Sequence, residues 1–238
     1  MAIYITSDIH GEYDLFVRLL DIIKLQEQDT LYVLGDVVDR GPHSIKTLLK
    51  LMEMPNVVCL VGNHELMAVE CLEFLMQEIT DISLESLDEK MLDNLVTWQY
   101  NGSKTTIDEF QKLSMGMQKK VISFIKDFLV YEELIIEDRN YLLVHGGLGD
   151  FSPDKDIEDY SLKELIWDRA DYEVQYYEDR YVVTGHTPTQ NIKGNPKPGF
   201  IFRENNHIAL DCGCNRPGGR LAAICLDTME EYYVERED

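Results

Sequence analysis

Basic residues are scarce: Lys and Arg number 22 against 44 Asp and Glu, a formal net charge of −22 over 238 residues. Without a basic surface to neutralise phosphates, tight binding to DNA or RNA is not expected. Long apolar runs are also missing. Nothing approaches the roughly 20 consecutive apolar residues of a membrane span, and the start MAIYITSDIHGEY has no basic region followed by a long apolar one. These absences predict a cytoplasmic protein with neither nucleic acid nor membrane as partner. Cysteines are five, odd in number and irregularly spaced, and Cys59 and Cys225 lie in apolar runs. That excludes a disulfide framework and fits a reducing compartment. Repeats, low-complexity tracts and Pro/Gly/Ser linkers are absent, so residues 1–238 read as one domain, and a 45% hydrophobic content suffices for a full core.

Short β-branched and aromatic runs at 2–6, 30–34 and 57–61 alternate with amphipathic patterns at about 12–24 and 43–53, which predicts a βαβαβ opening. Strand-like runs follow at 131–137 and 141–145 around a turn Asp138-Arg139-Asn140, then at 181–184, 199–203, 207–211, 221–226 and 231–234. Between the halves, about 65–129 has helical spacing and no proline, and reads as helices laid over one side of the sheet. It carries no recognisable chemistry. The acid-rich stretch 154–179 reads as a solvated loop and helix face.

Chemistry-bearing residues cluster at predicted strand ends. Ser7-Asp8-Ile9-His10-Gly11 closes the first strand, and Asp8 and His10, two apart, are expected on one side of the pleat. Alone, that pair fits a metal site and a capped turn equally. Gly35-Asp36-Val37-Val38-Asp39-Arg40-Gly41 follows the second strand and Gly62-Asn63-His64-Glu65 the third, while two further strands lead into His145-Gly146-Gly147 and Gly185-His186. A solvated turn does not explain five polar clusters at one architectural position, the carboxyl edge where open α/β sheets assemble sites. Hard oxygen donors and imidazoles without cysteine suit Mn²⁺, Fe or Zn²⁺, and there are enough for two ions. Of the six histidines, His43 and His207 fall outside the clusters and read as surface or packing residues.

In order, these residues resemble the GDxHG, GDxVDRG, GNHE, HGG and GH signature of the phosphoprotein phosphatase family within the calcineurin-like metallophosphoesterases. The short chain and Ile166-Trp167-Asp168-Arg169 are most similar to the bacterial and lambda-phage branch. The resemblance covers about residues 3–226 and is loose over 65–129. It implies an α/β fold of two mixed β-sheets packed as a central sandwich flanked by helices. It also implies that Asp8, His10 and Asp36 bind one divalent ion and Asp36, Asn63, His145 and His186 a second. The ions would be Mn²⁺ or an Fe/Zn pair, with a bridging hydroxide as nucleophile and no phosphoenzyme. By the same resemblance His64 protonates the leaving oxygen, Asp39 holds that imidazole, and Arg40 and Arg169 grip the phosphoryl oxygens. Ser7 departs from the pattern, standing where the first motif usually has glycine.

The resemblance implies a serine/threonine or dual-specificity protein phosphatase acting on a phosphorylated protein or peptide. The alternative is a symmetrical diadenosine tetraphosphate hydrolase, which shares these motifs and would need groups for adenine and the distal phosphates. Trp98, Tyr100 and Arg216 are the candidates. A nuclease or phosphodiesterase usually carries GHxH, and that position is Pro188. A non-catalytic binding protein on this fold would have lost ligands, and none is lost. Cys212 and Cys214 read as packing at a strand end rather than a redox or metal pair.

Overall fold

The computed structural model describes residues 1–76 and 88–236. Strands β1 (Ile3–Thr6), β2 (Thr30–Val33) and β3 (Val57–Cys59) alternate with α1 (Tyr13–Ile23) and α2 (Ser44–Met52), as the sequence periodicity predicts. The strands pair in parallel, β1 with β2 and β2 with β3. Strands β9 (Arg220–Cys225) and β10 (Glu230–Glu235) return to this sheet and extend it antiparallel from β1, giving the order β10-β9-β1-β2-β3. A second mixed sheet is built from β4 (Tyr131–Ile136), β5 (Arg139–Val144), β6 (Arg180–Thr184), β7 (Phe202–Glu204) and β8 (His207–Ala209), in the order β4-β5-β6-β8-β7.

Period-two alternation sorts each strand's side chains between two cores. Along β1, Ile5 joins a cluster with Tyr32, Leu143, Val183, Ile208 and Ile224, residues of both sheets, so this is the layer between them. Its neighbour Tyr4 faces the other way, with Leu31, Val33 and the helices. In β5, Leu143 points to the inter-sheet layer while Leu142 and Val144 meet Tyr172, Tyr176 and the short α7 (Leu162–Ile166) on the outer face of the second sheet. The result is the two-sheet sandwich flanked by helices that the resemblance implied. In α1, Leu15, Phe16, Leu19 and Ile23 form one buried face. Each such fully buried large side chain contributes roughly 1.5–3 kcal/mol.

The helical stretch resolves into α3 (Asn63–Leu75), α4 (Glu89–Tyr100), α5 (Lys104–Phe110) and α6 (Met115–Lys126), with residues 77–87 of the expected span outside the described residues. The Asp88 and Ser114 side chains cap α4 and α6 by accepting from Met91 N and Met117 N. Trp98, Phe110, Val121 and Ile125 pack with α1, α2 and the outer face of the first sheet. One local expectation changes. The β4–β5 turn is Glu137-Asp138, both left-handed at φ 47° and 64°, with Ile136 paired to Arg139. A two-residue hairpin loop needs that geometry to match strand twist, so Arg139 and Asn140 belong to β5.

His207 is 1% exposed, against Tyr172 and Tyr176, with Nε2 donating to Val174 O at 2.9 Å and Nδ1 buried without a partner among the described residues. Burial lowers its pKa, and the Val174 carbonyl offsets this only in part. The unfolded chain therefore takes up the proton first. The neutral ring's contribution to stability is whole above about pH 6.5 and is lost as pH falls towards the depressed folded value. Urea midpoints between pH 7 and pH 5 are expected to fall less steeply for His207→Phe than for the parent. Equal slopes would show that His207 takes up its proton in the fold without penalty.

Candidate metal centre and active site

Five polar clusters emerge where β1, β2, β3, β5 and β6 end, at one edge of the sandwich. Asp8 and His10 do not lie in β1, which stops at Thr6. They converge because both are left-handed, at φ 52° and 46°, rather than because they share a pleat. Asp36, Asp39, Arg40 and His186 share that conformation. Each such residue costs of order 1–3 kcal/mol, offset here by hydrogen bonds that lace the turns together. His10 N donates to Asp36 O at 2.8 Å, Gly11 N to Val37 O at 2.8 Å and Gly41 N to His10 O at 2.9 Å.

Glu65, quoted in a motif but given no role from sequence, braces the second turn. It is 0% exposed; one carboxylate oxygen accepts from Asp36 N at 2.7 Å and Gly62 N at 3.0 Å, the other from Val37 N at 2.8 Å and Val38 N at 3.2 Å. Gly62 is required opposite, since a Cβ there would lie 2.3 Å from Asp36 Oδ1. Ser7 fits for a matching reason. Its hydroxyl donates to the Asp8 carboxylate and to Leu34 O, and a Cβ on the facing Gly185 would collide with it.

The imidazoles are oriented by backbone carbonyls, the arrangement that leaves the second ring nitrogen with its lone pair free for a cation. His10 uses Nδ1 to Val38 O at 3.0 Å, His145 uses Nδ1 to Leu34 O at 2.5 Å, and His186 uses Nε2 to Trp167 O at 3.0 Å. His64 differs, with Nδ1 on the Asp39 carboxylate at 2.7 Å. Two groups of donors can each hold a metal ion, His10 with Asp36 and His64, and Asp36 with His145 and His186, the ligand atoms within each lying within 4.8 Å of one another. Asp36 belongs to both. Asn63 Oδ1 adds a neutral donor 3.2 Å from His145 Nε2, and Asp8 Oδ1 lies 4.0 Å from His10 Nε2. Arg40 donates from Nη1 to His10 Nε2 at 2.7 Å and from Nη2 to His64 Nε2 at 2.9 Å. Oxygen and imidazole donors alone, already collecting positive charge, fit divalent cations.

Burial alone would raise the Asp36 pKa, but the neighbouring His145, His64 and His10 rings hold it well below the usual carboxylate range. The Asp8 pKa is raised, first by burial and then by the charge of Asp211 and Asp36. Burial pushes His10 well down and His186 down to about 4, with the His145 charge adding to the latter. His64 ends above its ordinary value, because the charge of Asp36 and the hydrogen bond that Nδ1–H donates to Asp39 outweigh burial.

Arg169 is exposed at the rim, its backbone against Gly147 and its charge acting on His186. Trp98, a candidate base platform from sequence, is 0% exposed and offers no face to a ligand. Tyr100 is 90% exposed, two residues before Gly102, which packs on Arg40. Arg216 lines a 510 Å³ cleft with Arg220 and Arg236. Cys212 and Cys214 are both buried but in different cores, Cys212 between the sheets and Cys214 under the helices, as packing residues would be. All five cysteines are free. His43 is half-exposed and faces Glu109 at 3.2 Å, away from the donor cluster. Among the described residues, no helix is long and apolar enough to cross a membrane.

With that geometry goes a family: the chain belongs to the calcineurin-like phosphoesterases, whose model matches residues 1–195. It is a phosphoesterase-family protein with donor groups for metal ions. A symmetrical bis(5'-nucleosyl)-tetraphosphatase of Nitrosospira multiformis is 29% identical over 154 residues, 62% of this chain and 44% of that protein. Its counterpart in Acidovorax ebreus is 48% identical over 68 residues, 28% and 24% of the two chains. The chain thus spans less than half the length of these curated relatives. Among solved structures, one provisionally assigned as a diadenosine tetraphosphatase superposes with a TM-score of 0.67 at 17% identity, covering 98% of this chain and 92% of that one. A protein serine/threonine phosphatase of Saccharomyces cerevisiae gives 0.59 at 15%, covering 100% and 81%. Both are likenesses of fold.

Glu65→Gln would turn one oxygen into an NH₂ facing two backbone N–H groups. Relief of repulsion from Asp36 works the other way, but two unsatisfied buried donors outweigh it, and a loss of roughly 2–4 kcal/mol is expected in urea unfolding of metal-loaded protein. A change near zero would show that the turn is held by other contacts.

Proposed function

We propose that this chain is a two-metal phosphoesterase that splits dinucleoside polyphosphates symmetrically, diadenosine tetraphosphate to two molecules of ADP. The observation that carries the metal chemistry is Asp36, shared by two donor groups at the sandwich edge. What favours this substrate is that matched relatives are named symmetrical tetraphosphatases. This reverses the order of substrates expected from motifs alone, where a phosphoprotein came first.

By the motif resemblance, Asp8, His10 and Asp36 would hold one cation and Asp36, Asn63, His145 and His186 the other, which leaves His64, although it lies in the donor group with His10 and Asp36, for the proton. Bound there, two divalent ions supply Lewis acidity and lower the pKa of an attacking water. The chain does the rest. Arg40, now donating to two imidazoles, would turn its planar fork to the phosphoryl oxygens instead, and Arg169, whose charge acts on His186, would supply a second guanidinium. His64, its ring anchored by Asp39, presents Nε2 for proton donation to the departing oxygen. Tyr100 and the cleft at Arg216 are the exposed groups able to receive a base and distal phosphates.

A specific observation also favours the phosphoprotein reading. The His64–Asp39 pair is most useful when the leaving group is an alkoxide, as from phosphoserine, and a nucleoside diphosphate needs little such help. Mn²⁺-reconstituted protein should therefore be offered diadenosine tetraphosphate and phosphoserine, phosphothreonine and phosphotyrosine peptides side by side. Preferential release of ADP is expected; phosphate from peptides alone would replace the substrate while keeping the chemistry. Separately, Asp36→Asn is expected to lose both metals by elemental analysis, and full occupancy would contradict a bridging ligand.

A further inference from the structure

The helical stretch that showed no chemistry in sequence reaches into the acid site. Asp39 Oδ2, which accepts from His64 Nδ1 at 2.7 Å, also accepts from Trp98 Nε1 at 2.8 Å. Asp39 Oδ1 accepts from Thr106 Oγ1 at 2.6 Å, and the same Thr106 oxygen accepts from Asp39 N at 3.1 Å. The carboxylate, the imidazole, the indole and Thr106 are all 0% exposed, so these bonds have no competition from water. The turn they brace is strained, with Asp39 and Arg40 consecutive left-handed residues at φ 72° and 69°. Arg40 N is caught at 3.0 Å by Gly102 O, from the link between α4 and α5. Glu109 of α5 completes the attachment by accepting from Ile45 N at 2.8 Å and pairing with His43.

From this arrangement we infer that Trp98 and Thr106 are positioning residues for proton transfer. They clamp both oxygens of Asp39, and through Asp39 fix the plane and tautomer of His64. Neither touches the donor groups or the phosphoryl site. A carboxylate with two torsions and one imidazole partner could rotate away from Nδ1. With an indole N–H on one oxygen and a hydroxyl on the other, a single rotamer satisfies every group, so Nδ1–H stays on Asp39 and Nε2 faces the substrate. Outer-shell partners that orient a metal-ligating imidazole commonly matter by about 10–100-fold, and an effect at the lower end of that scale is expected for an imidazole that moves a proton. The burial that took Trp98 out of contention as a base platform is what gives it this role.

This rests on His64 being the general acid, so the test carries that assumption as its own arm. In metal-loaded protein, Trp98→Phe keeps most of the ring volume and removes the N–H; Thr106→Val is isosteric and removes the hydroxyl; Thr106→Ser restores it. Turnover is compared on phenyl phosphate, which needs its leaving oxygen protonated, and 4-nitrophenyl phosphate, which needs it far less. Trp98→Phe and Thr106→Val are each expected to lower the phenyl rate about tenfold and the nitrophenyl rate by less than about twofold, with Thr106→Ser close to the parent on both. His64→Ala is expected to show the same selectivity, larger, about 10²-fold. If His64→Ala is selective but the clamp variants slow both substrates equally, or neither, the positioning role is wrong. If His64→Ala is itself unselective, the acid reading falls and takes this inference with it. A second readout needs neither aryl ester to turn over. In Zn²⁺-loaded protein with ¹⁵N-labelled histidine, the downfield Nδ1–H resonance of His64 is expected to be sharp in the parent and Thr106→Ser, and broadened in Trp98→Phe and Thr106→Val. Unchanged spectra in the latter pair would overturn the proposal.

Discussion

Asp36 is a carboxylate at 2% exposure with imidazole nitrogens of His10, His64 and His145 within 4 Å. An isolated charge at that depth is prohibitively costly, and it is tolerable only among groups that carry or collect positive charge. Much of the local architecture answers to that requirement. Gly62 gives up its side chain to make room, and Glu65 uses all its acceptor capacity to hold the turn bearing Asp36. Three imidazoles are pinned by main-chain carbonyls so that their other nitrogens turn inward. Divalent cations are the natural occupant of such a set, and the clustering of carboxylates and histidines is intelligible only with them in mind.

Strain is distributed along the same edge. Left-handed backbone at Asp8, His10, Asp36, Asp39, Arg40 and His186 is a large concentration of disfavoured conformations. The sandwich sustains it because parallel strands, buried on both faces, fix where each chain segment leaves the sheet. Helices α4 and α5 then do more than cover the first sheet. By holding Asp39 and Arg40 they connect the outer core to the groups proposed to handle the proton and the phosphoryl oxygens. Tyr100 and Gly102 lie between Trp98 and Thr106 on one continuous backbone, so the group proposed to receive a base and those proposed to orient the acid share one segment.

Much was legible without coordinates. The strands were located within a residue or two for most of the chain, because period-two apolar runs and the glycine-bounded turns between them are local signals. All five clusters were placed at strand ends, and packing roles for Cys59, Cys212, Cys214 and Cys225 were anticipated, while for His207 surface and packing were left open and burial decided for packing. Elsewhere local signals misled. The Asp8–His10 pair was assigned to a pleat that ends before it, and Trp98 was considered for a surface role although it is fully buried.

What the sequence determined by itself was the order of the elements and the polar clusters at the strand ends, for these depend on neighbours a few residues apart. The tertiary structure alone decided which donors share Asp36, which nitrogen of each imidazole faces inward, and that Glu65, Trp98 and Thr106 serve the site. Those facts depend on contacts such as His64 with Asp39, 25 positions apart, Thr106 with Asp39, 67 apart, and His145 with Leu34, 111 apart. No spacing rule reads such contacts, since only the packing of two sheets and a helical layer brings those segments within hydrogen-bond distance.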